Sequence, residues 1–178
     1  MRLFVAVPLP EDVRQRLADV GTGLRGARWV DVDHMHITLR FIGEVDAGVA
    51  EDIHHALDRI RAPAFAITVN GLGCFGNGRR VRTLWAGIER QDRLLHLREK
   101  VESAVVRTGL EPERRKFKAH VTLARFKDGA PGPVGAFIEA QNDLRAGPVD
   151  VDSFTLFESR LGSAGPHYEA LAQYPLTA

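Results

Sequence analysis

The chain has 178 residues, of which 44% are apolar and 26% charged, and its formal net charge is +1. This is the composition of a folded globular protein long enough to bury a sizeable core, and it excludes a disordered chain or a bulk electrostatic coat for nucleic acid. The lone Cys74 excludes an internal disulfide framework and a multi-cysteine zinc site.

The apolar run at residues 3–7 is too short for a signal-peptide core, and no stretch approaches the roughly 18 apolar residues of a membrane helix. A cytoplasmic protein without membrane partners is expected.

Residues 3–7, closed by Pro8, suit a buried strand. Pro10, Glu11 and Asp12 open a helix whose acidic residues sit where the dipole favours them, with Val13, Leu17, Val20 and Leu24 on one face. Residues 35–42 read as a strand closed by Gly43. Asp46 caps a second helix striped by Val49, Ile53, Leu57 and Ile60, and Pro63 stops it. Phe65, Ile67 and Val69 alternate with small and polar residues, as in a strand. Four glycines in residues 71–78 predict a turn or mobile loop. Residues 83–88 form a further strand, and Leu94, Leu97, Val101 and Val105 mark a third helix ended by Gly109. A strand at 121–126, a short helix at 133–141 and two late strands at 149–157 and 168–176 complete the chain. Interleaved helices and strands with short connections predict an α+β fold of mostly antiparallel sheet.

One feature rises above this background. His36-Ile37-Thr38-Leu39 returns 84 residues later as His120-Val121-Thr122-Leu123. Chance supplies one His-x-Thr-Leu in roughly 3% of chains of this composition and two in under about 0.1%. In a strand, residues i and i+2 share a face, so each histidine projects with its threonine while Ile37, Leu39, Val121 and Leu123 turn to the core. Two such faces across a cleft would place two imidazoles and two hydroxyls around one small group. One imidazole can be neutral while the other is protonated near neutral pH. Hydroxyls add donors to anionic oxygens. A phosphodiester fits, with one histidine activating water, the other protonating the leaving oxygen, and no metal required. These residues alone leave open which histidine is the acid. A single copy would be an ordinary half-exposed strand pattern; the repetition is what argues for a site.

These motifs, with Arg2-Leu3-Phe4-Val5-Ala6-Val7, the trailing Phe41-Ile42-Gly43 and the late segments 156–161 and 168–176, resemble the 2H phosphoesterase superfamily over nearly the whole chain. More narrowly the chain resembles the RNA 2′,3′-cyclic phosphodiesterases, historically called 2′-5′ RNA ligases. The resemblance implies a bilobal fold, residues 1–178 forming one unit of two related lobes around a central cleft. It implies opening of RNA 2′,3′-cyclic phosphate ends to 2′-phosphomonoesters, with His36 as proton donor and His120 as proton acceptor. Reverse 2′-5′ joining would be a side activity. No cofactor and no metal are implied, and a monomer is expected.

Thr38 and Thr122 are the candidate phosphate ligands. Arg125 joins them only if its strand twists or bulges, because on an ideal strand it is out of phase with Thr122. Arg40 is in phase with His36 and is a candidate RNA contact. Trp29 and Phe75 are candidate base-stacking residues, and Phe41 reads as core packing. Lys118 and the run Arg114-Arg115-Lys116 are candidate contacts to RNA phosphates, as are Arg79, Arg80 and Arg82. Tyr168 reads equally as a cleft residue or as hairpin core. His34 shares a face with His36, yet a metal site with His54 or His55 is rejected, since those two diverge on a helix and nothing completes the ligand set. Gly71, Gly73 and Gly76 have Gly-x-Gly-x-x-Gly spacing but do not lead into a helix, so a dinucleotide-binding fold is rejected. Two other functions fit the same residues: an RNA-end binding module without catalysis, and a phosphodiesterase of small cyclic or 2′-5′ linked nucleotides.

Overall fold

A computed structural model describes residues 1–21 and 23–178. Among the described residues nine strands form one sheet: β1 (Arg2–Pro8), β2 (Arg28–Trp29), β3 (His36–Glu44), β4 (Phe65–Phe75), β5 (Thr83–Ile88), β6 (His120–Arg125), β7 (Arg145–Val151), β8 (Ser153–Gly162) and β9 (Gly165–Pro175). The order across the sheet is β7-β4-β5-β6-β3-β1-β8-β9, with β2 on β6, and every strand pair is antiparallel. Among the described residues four α-helices accompany it: α1 (Glu11–Ala18), α2 (Ala47–Asp58), α3 (Asp92–Arg107) and α4 (Gly135–Ala140). The fold is therefore α+β, as expected.

The sheet curls into a half-barrel. β7 and β8 are joined through Asp152, although one is an edge strand and the other lies at the far side of the order. The curl also carries Thr177, just past β9, to the segment before β4, where its amide donates to the Ala62 carbonyl at 2.9 Å. The expected single strand at 149–157 is thus two strands. Asp152 is the corner at which the chain leaves one side of the sheet for the other.

The predicted helix faces pack as read. Val13 and Leu17 of α1, Ile53 and Leu57 of α2, and Leu97 and Val101 of α3 are buried against the strands. Each fully buried leucine or isoleucine contributes roughly 1.5–3 kcal/mol. The Asp46 carboxylate accepts from the Val49 amide at 2.8 Å, which caps α2 as predicted. Helix α1 stops at Ala18, short of Leu24, which packs instead with a smaller cluster of Val81, Phe126 and Val134.

The glycine-rich segment departs from expectation. Residues 71–75 continue β4 and pair with β5, Gly73 lying opposite Trp85. A Cβ on Gly73 would lie 2.2 Å from the Trp85 ring, so glycine here is a packing requirement. Gly71, with φ +70°, sits inside the register shift that bends β4. Gly43, likewise expected to end its strand, lies within β3 with φ +87°.

Candidate active site

The two motif strands lie side by side at the centre of the sheet, with Ile37 paired to Val121. In an antiparallel pair, residues flanking such a bridge fall opposite each other in reverse order. His36 is thereby set toward Thr122, and Thr38 toward His120. Both histidines, both threonines and Arg125 line one cleft of about 1090 Å³.

The strands share one irregularity that places their following residues. Between β1 and β3 the register jumps from Val5–Arg40 to Ala6–Thr38, leaving Leu39 as the extra residue. Between β5 and β6 it jumps from Leu84–Ala124 to Trp85–Thr122, leaving Leu123 as the extra residue. A bulge of one residue reverses the facing of everything beyond it. Arg125 is therefore brought into phase with Thr122 and onto the cleft, the condition its role required. The same bulge turns Arg40 inward. It is 8% exposed, its Nε lies 3.2 Å from both Glu102 carboxylate oxygens, and its other nitrogens donate to the Phe41 and Glu111 carbonyls. Arg40 borders the cleft, but its guanidinium is a buried brace, and the expectation that it contacts RNA is corrected. Phe41, the counterpart of Arg125, turns outward instead. It is 52% exposed on the cleft wall, where core packing was expected.

The imidazoles are held alike. His36 Nδ1 lies 2.6 Å from the His34 carbonyl oxygen, and His120 Nδ1 lies 2.7 Å from the Lys118 carbonyl oxygen. A carbonyl oxygen only accepts, so each Nδ1 carries its hydrogen and each Nε2 is left for chemistry. His36 Nε2 is 2.9 Å from Thr38 Oγ1. A neutral ring accepts from that hydroxyl, and a charged ring donates to it.

The surroundings differ. Phe4 and Tyr168 flank His36 at ring-centre distances of 5.1 and 5.8 Å, and Tyr168 also packs against His34 at 4.5 Å. Phe75 meets His120 edge-on at 4.9 Å, with Trp85 beyond it at 6.1 Å. Burial pushes His36 down to about 4, and the positive charge of Arg125 adds to this. Burial also lowers His120, with further lowering from Lys118 and Arg125. Desolvation penalises the imidazolium in both cases. Arg125 thus acts on both histidines, and an anion bound beside it would offset its effect.

Phe75, 39% exposed, and Lys118, whose ammonium lies 5.2 Å from the Trp85 ring centre, both line the cleft. Arg115 and Lys116 line it too, while Arg79, Arg80 and Arg82 do not. Trp29 is corrected: it pairs in β2 with Ala124 and packs on Phe137 away from the cleft wall. His54 bonds the Tyr174 hydroxyl at 2.8 Å and His55 pairs with Glu51. Phe4, Phe41 and Trp85 were missed as site residues. Phe4 alone carried a signal, since it alternates with Leu3 and Val5 in a strand that pairs with the first motif.

Comparison with known proteins matches this arrangement. The family model for LigT like phosphoesterases matches residues 7–85 and 87–168, one His-x-Thr motif in each stretch. An RNA 2′,3′-cyclic phosphodiesterase of Thermotoga maritima is 35% identical over 96% of this chain and 93% of its own length. One from Aeropyrum pernix is 36% identical over 89% of this chain and 90% of its own. The crystal structure of E. coli LigT complexed with 3′-AMP superposes with a TM-score of 0.81 at 28% identity, covering 99% of this chain and 98% of that one. With a half-barrel of the same form and both motifs in place, the chain belongs to the LigT-like phosphoesterases, a family of the 2H phosphoesterases.

Proposed function

We propose that this phosphoesterase hydrolyses 2′,3′-cyclic phosphate ends of RNA to 2′-phosphomonoesters by acid–base catalysis between His36 and His120. The relatives named for this activity support the reaction. The observation that supports the mechanism is the antiparallel pairing of the two motif strands at Ile37 and Val121, which brings both histidines, both threonines and Arg125 to one cleft, with Arg125 acting on both imidazoles.

The cyclic phosphate, an anion, sits against Arg125, Thr122 and Thr38. His120 Nε2, with its ring oriented by the Lys118 carbonyl, takes a proton from water as the water oxygen bonds to phosphorus. The bond from phosphorus to the 3′ oxygen breaks, and His36 Nε2 gives that oxygen its proton. The charged His36 ring has an acceptor at each nitrogen, the His34 carbonyl and Thr38 Oγ1, which suits it to hold the proton until the leaving oxygen takes it. Arg125 and the threonines stabilise the charge that builds on the non-bridging oxygens. Acid, base and charge stabilisation are all supplied by the chain's own groups, so the reaction is metal-independent. A 5′-hydroxyl in place of water would give a 2′-5′ linkage with the same bond broken, which accounts for ligation as a side reaction.

We read residues 1–178 as one unit of two lobes. β7, β4, β5 and β6 belong to one and β3, β1, β8 and β9 to the other, joined at the Ile37–Val121 pair. Among the described residues, no helix is long and apolar enough to cross a membrane.

The test is incubation with RNA bearing a 2′,3′-cyclic end, with and without EDTA, and identification of the product. A 2′-phosphate in equal yield with EDTA is expected. A 3′-phosphate would overturn the leaving-group assignment, EDTA sensitivity the metal-independent mechanism, and binding without turnover would favour an RNA-end binding module.

A further inference from the structure

The segment from residue 110 to 119 contains no helix or strand, yet Glu113, Arg115, Lys116, Phe117 and Lys118 line the cleft. Among the described residues no backbone–backbone hydrogen bond ties these ten positions to the rest of the fold. Leu110, Phe117 and Ala119 pack on the core and the His120 ring meets the Lys118 carbonyl, and between these points side chains reach the segment from below and converge on one carboxylate. Glu102 of α3, with its side chain 13% exposed, receives Arg40 from β3, Arg98 from its own helix at 3.0 Å, and the amide of Glu113 at 3.4 Å. Arg40 also donates to the Glu111 carbonyl, and the Arg98 guanidinium lies 5.2 Å from the Phe117 ring centre. Three of its contacts, at Glu111, Glu113 and Phe117, are joined through Glu102.

Resting on the function proposed above, we propose that Glu102 is a positioning residue for the polynucleotide part of the substrate. Through Arg40, Arg98 and the Glu113 amide it holds the basic segment 111–118 at the cleft, where the RNA chain leading away from the reacting end passes Arg115 and Lys116. A mononucleotide lacks the flanking phosphates that Arg115 and Lys116 would meet. Glu102 therefore favours a chain end over a small cyclic nucleotide, while His36 keeps its support at the His34 carbonyl and Lys118, whose carbonyl orients His120, is held at the β6 end of the segment beside Trp85.

The experiment compares wild type with Glu102→Gln on two substrates, an RNA oligonucleotide with a 2′,3′-cyclic end and the corresponding cyclic mononucleotide. Binding of an oligonucleotide ending in a 2′-phosphate is followed by anisotropy over a salt series. Glu102→Gln is expected to raise the oligonucleotide KM about tenfold with kcat little changed, and to leave mononucleotide kcat/KM within about twofold. The salt slope of binding should become shallower by about 1, since each lost phosphate contact on a single strand removes about 0.7. Arg98→Met keeps the apolar stem and leaves Arg40 and Glu102 as a balanced pair, so it should fold even where Glu102→Gln does not and show a smaller change of the same sign. Arg115→Ala with Lys116→Ala should reproduce the oligonucleotide defect and add little to Arg98→Met, because coupled residues are non-additive. Equal losses on both substrates, or an unchanged salt slope in both clamp variants, would overturn the proposal. If wild type turns over neither substrate, the function proposed above fails. The clamp is then still judged, by the binding series alone.

Discussion

The two motif strands begin alike and end differently. Both β3 and β6 present histidine and threonine on one face, both bulge at the leucine that follows, and both tie the histidine Nδ1 to the carbonyl two residues back. Beyond the bulge they diverge: β3 continues with buried Arg40 and exposed Phe41, β6 with buried Ala124 and exposed Arg125. One strand brings an aromatic ring to the cleft, the other a guanidinium. The repeat thus supplies a near-symmetric pair of imidazole–hydroxyl faces, and two residues after the bulge make the cleft asymmetric. His36 is enclosed by Phe4, Tyr168 and Thr38, whereas His120 is the more open ring.

The largest expected effect breaks the symmetric part. His36→Ala and His120→Ala should each lower kcat about 10²- to 10⁴-fold, and the double variant should be little worse than either, because both act in one transition state. Single-turnover assays check this, and additive losses would count against concerted action. Next comes the asymmetric part. Arg125→Met should cost about 10²-fold in kcat, as for loss of a charge-stabilising donor, while Phe41→Leu should change kcat severalfold at most. Equal effects would erase the distinction between the two strand ends.

Titration separates the histidines further. Both are lowered in the free protein, His36 to about 4, so the kcat/KM profile should be bell-shaped and centred below pH 6.5. An anionic substrate against Arg125 raises both, so the kcat profile should lie at higher pH than that of kcat/KM. Coincident profiles would speak against the role of Arg125. The same shift links to stability. His36 is neutral in the fold and protonated in the unfolded chain between pH 4 and 6.5, so the unfolded state binds more protons there. Its contribution, about 3 kcal/mol, is present above pH 6.5 and lost as pH falls toward 4. Denaturant titrations at pH 7 and 4.5 should show a smaller acid loss in His36→Gln.

The smallest effect concerns packing beneath His120. Gly73→Ala places a methyl 2.2 Å from the Trp85 ring and should cost about 1–3 kcal/mol by thermal melting. Since Trp85 lies between Lys118 and His120, the His120 titration should shift in this variant and that of His36 should not. A Tm equal to wild type would show that the ring yields freely.

The amino-acid sequence alone determined the His-x-Thr faces and most of the elements. A period of two fixes which strand residues share a side, and the repetition of His-x-Thr-Leu singled out His36, Thr38, His120 and Thr122 over every other polar pair. Helical spacing and the Asp46 cap marked α2 and α3 because those signals are local. Tertiary structure decided what depends on distant partners. Bulges at Leu39 and Leu123 are set by pairing with β1 and β5, and they alone exchanged Arg40 for Phe41 at the cleft and admitted Arg125. Gly73 reads as a loop residue until Trp85 is seen against it. The corner at Asp152 follows from the curl of the whole sheet, and Trp29 is withdrawn from the cleft by pairing with β6. In each case the deciding contact lies far away along the chain, in a strand whose register no local pattern records.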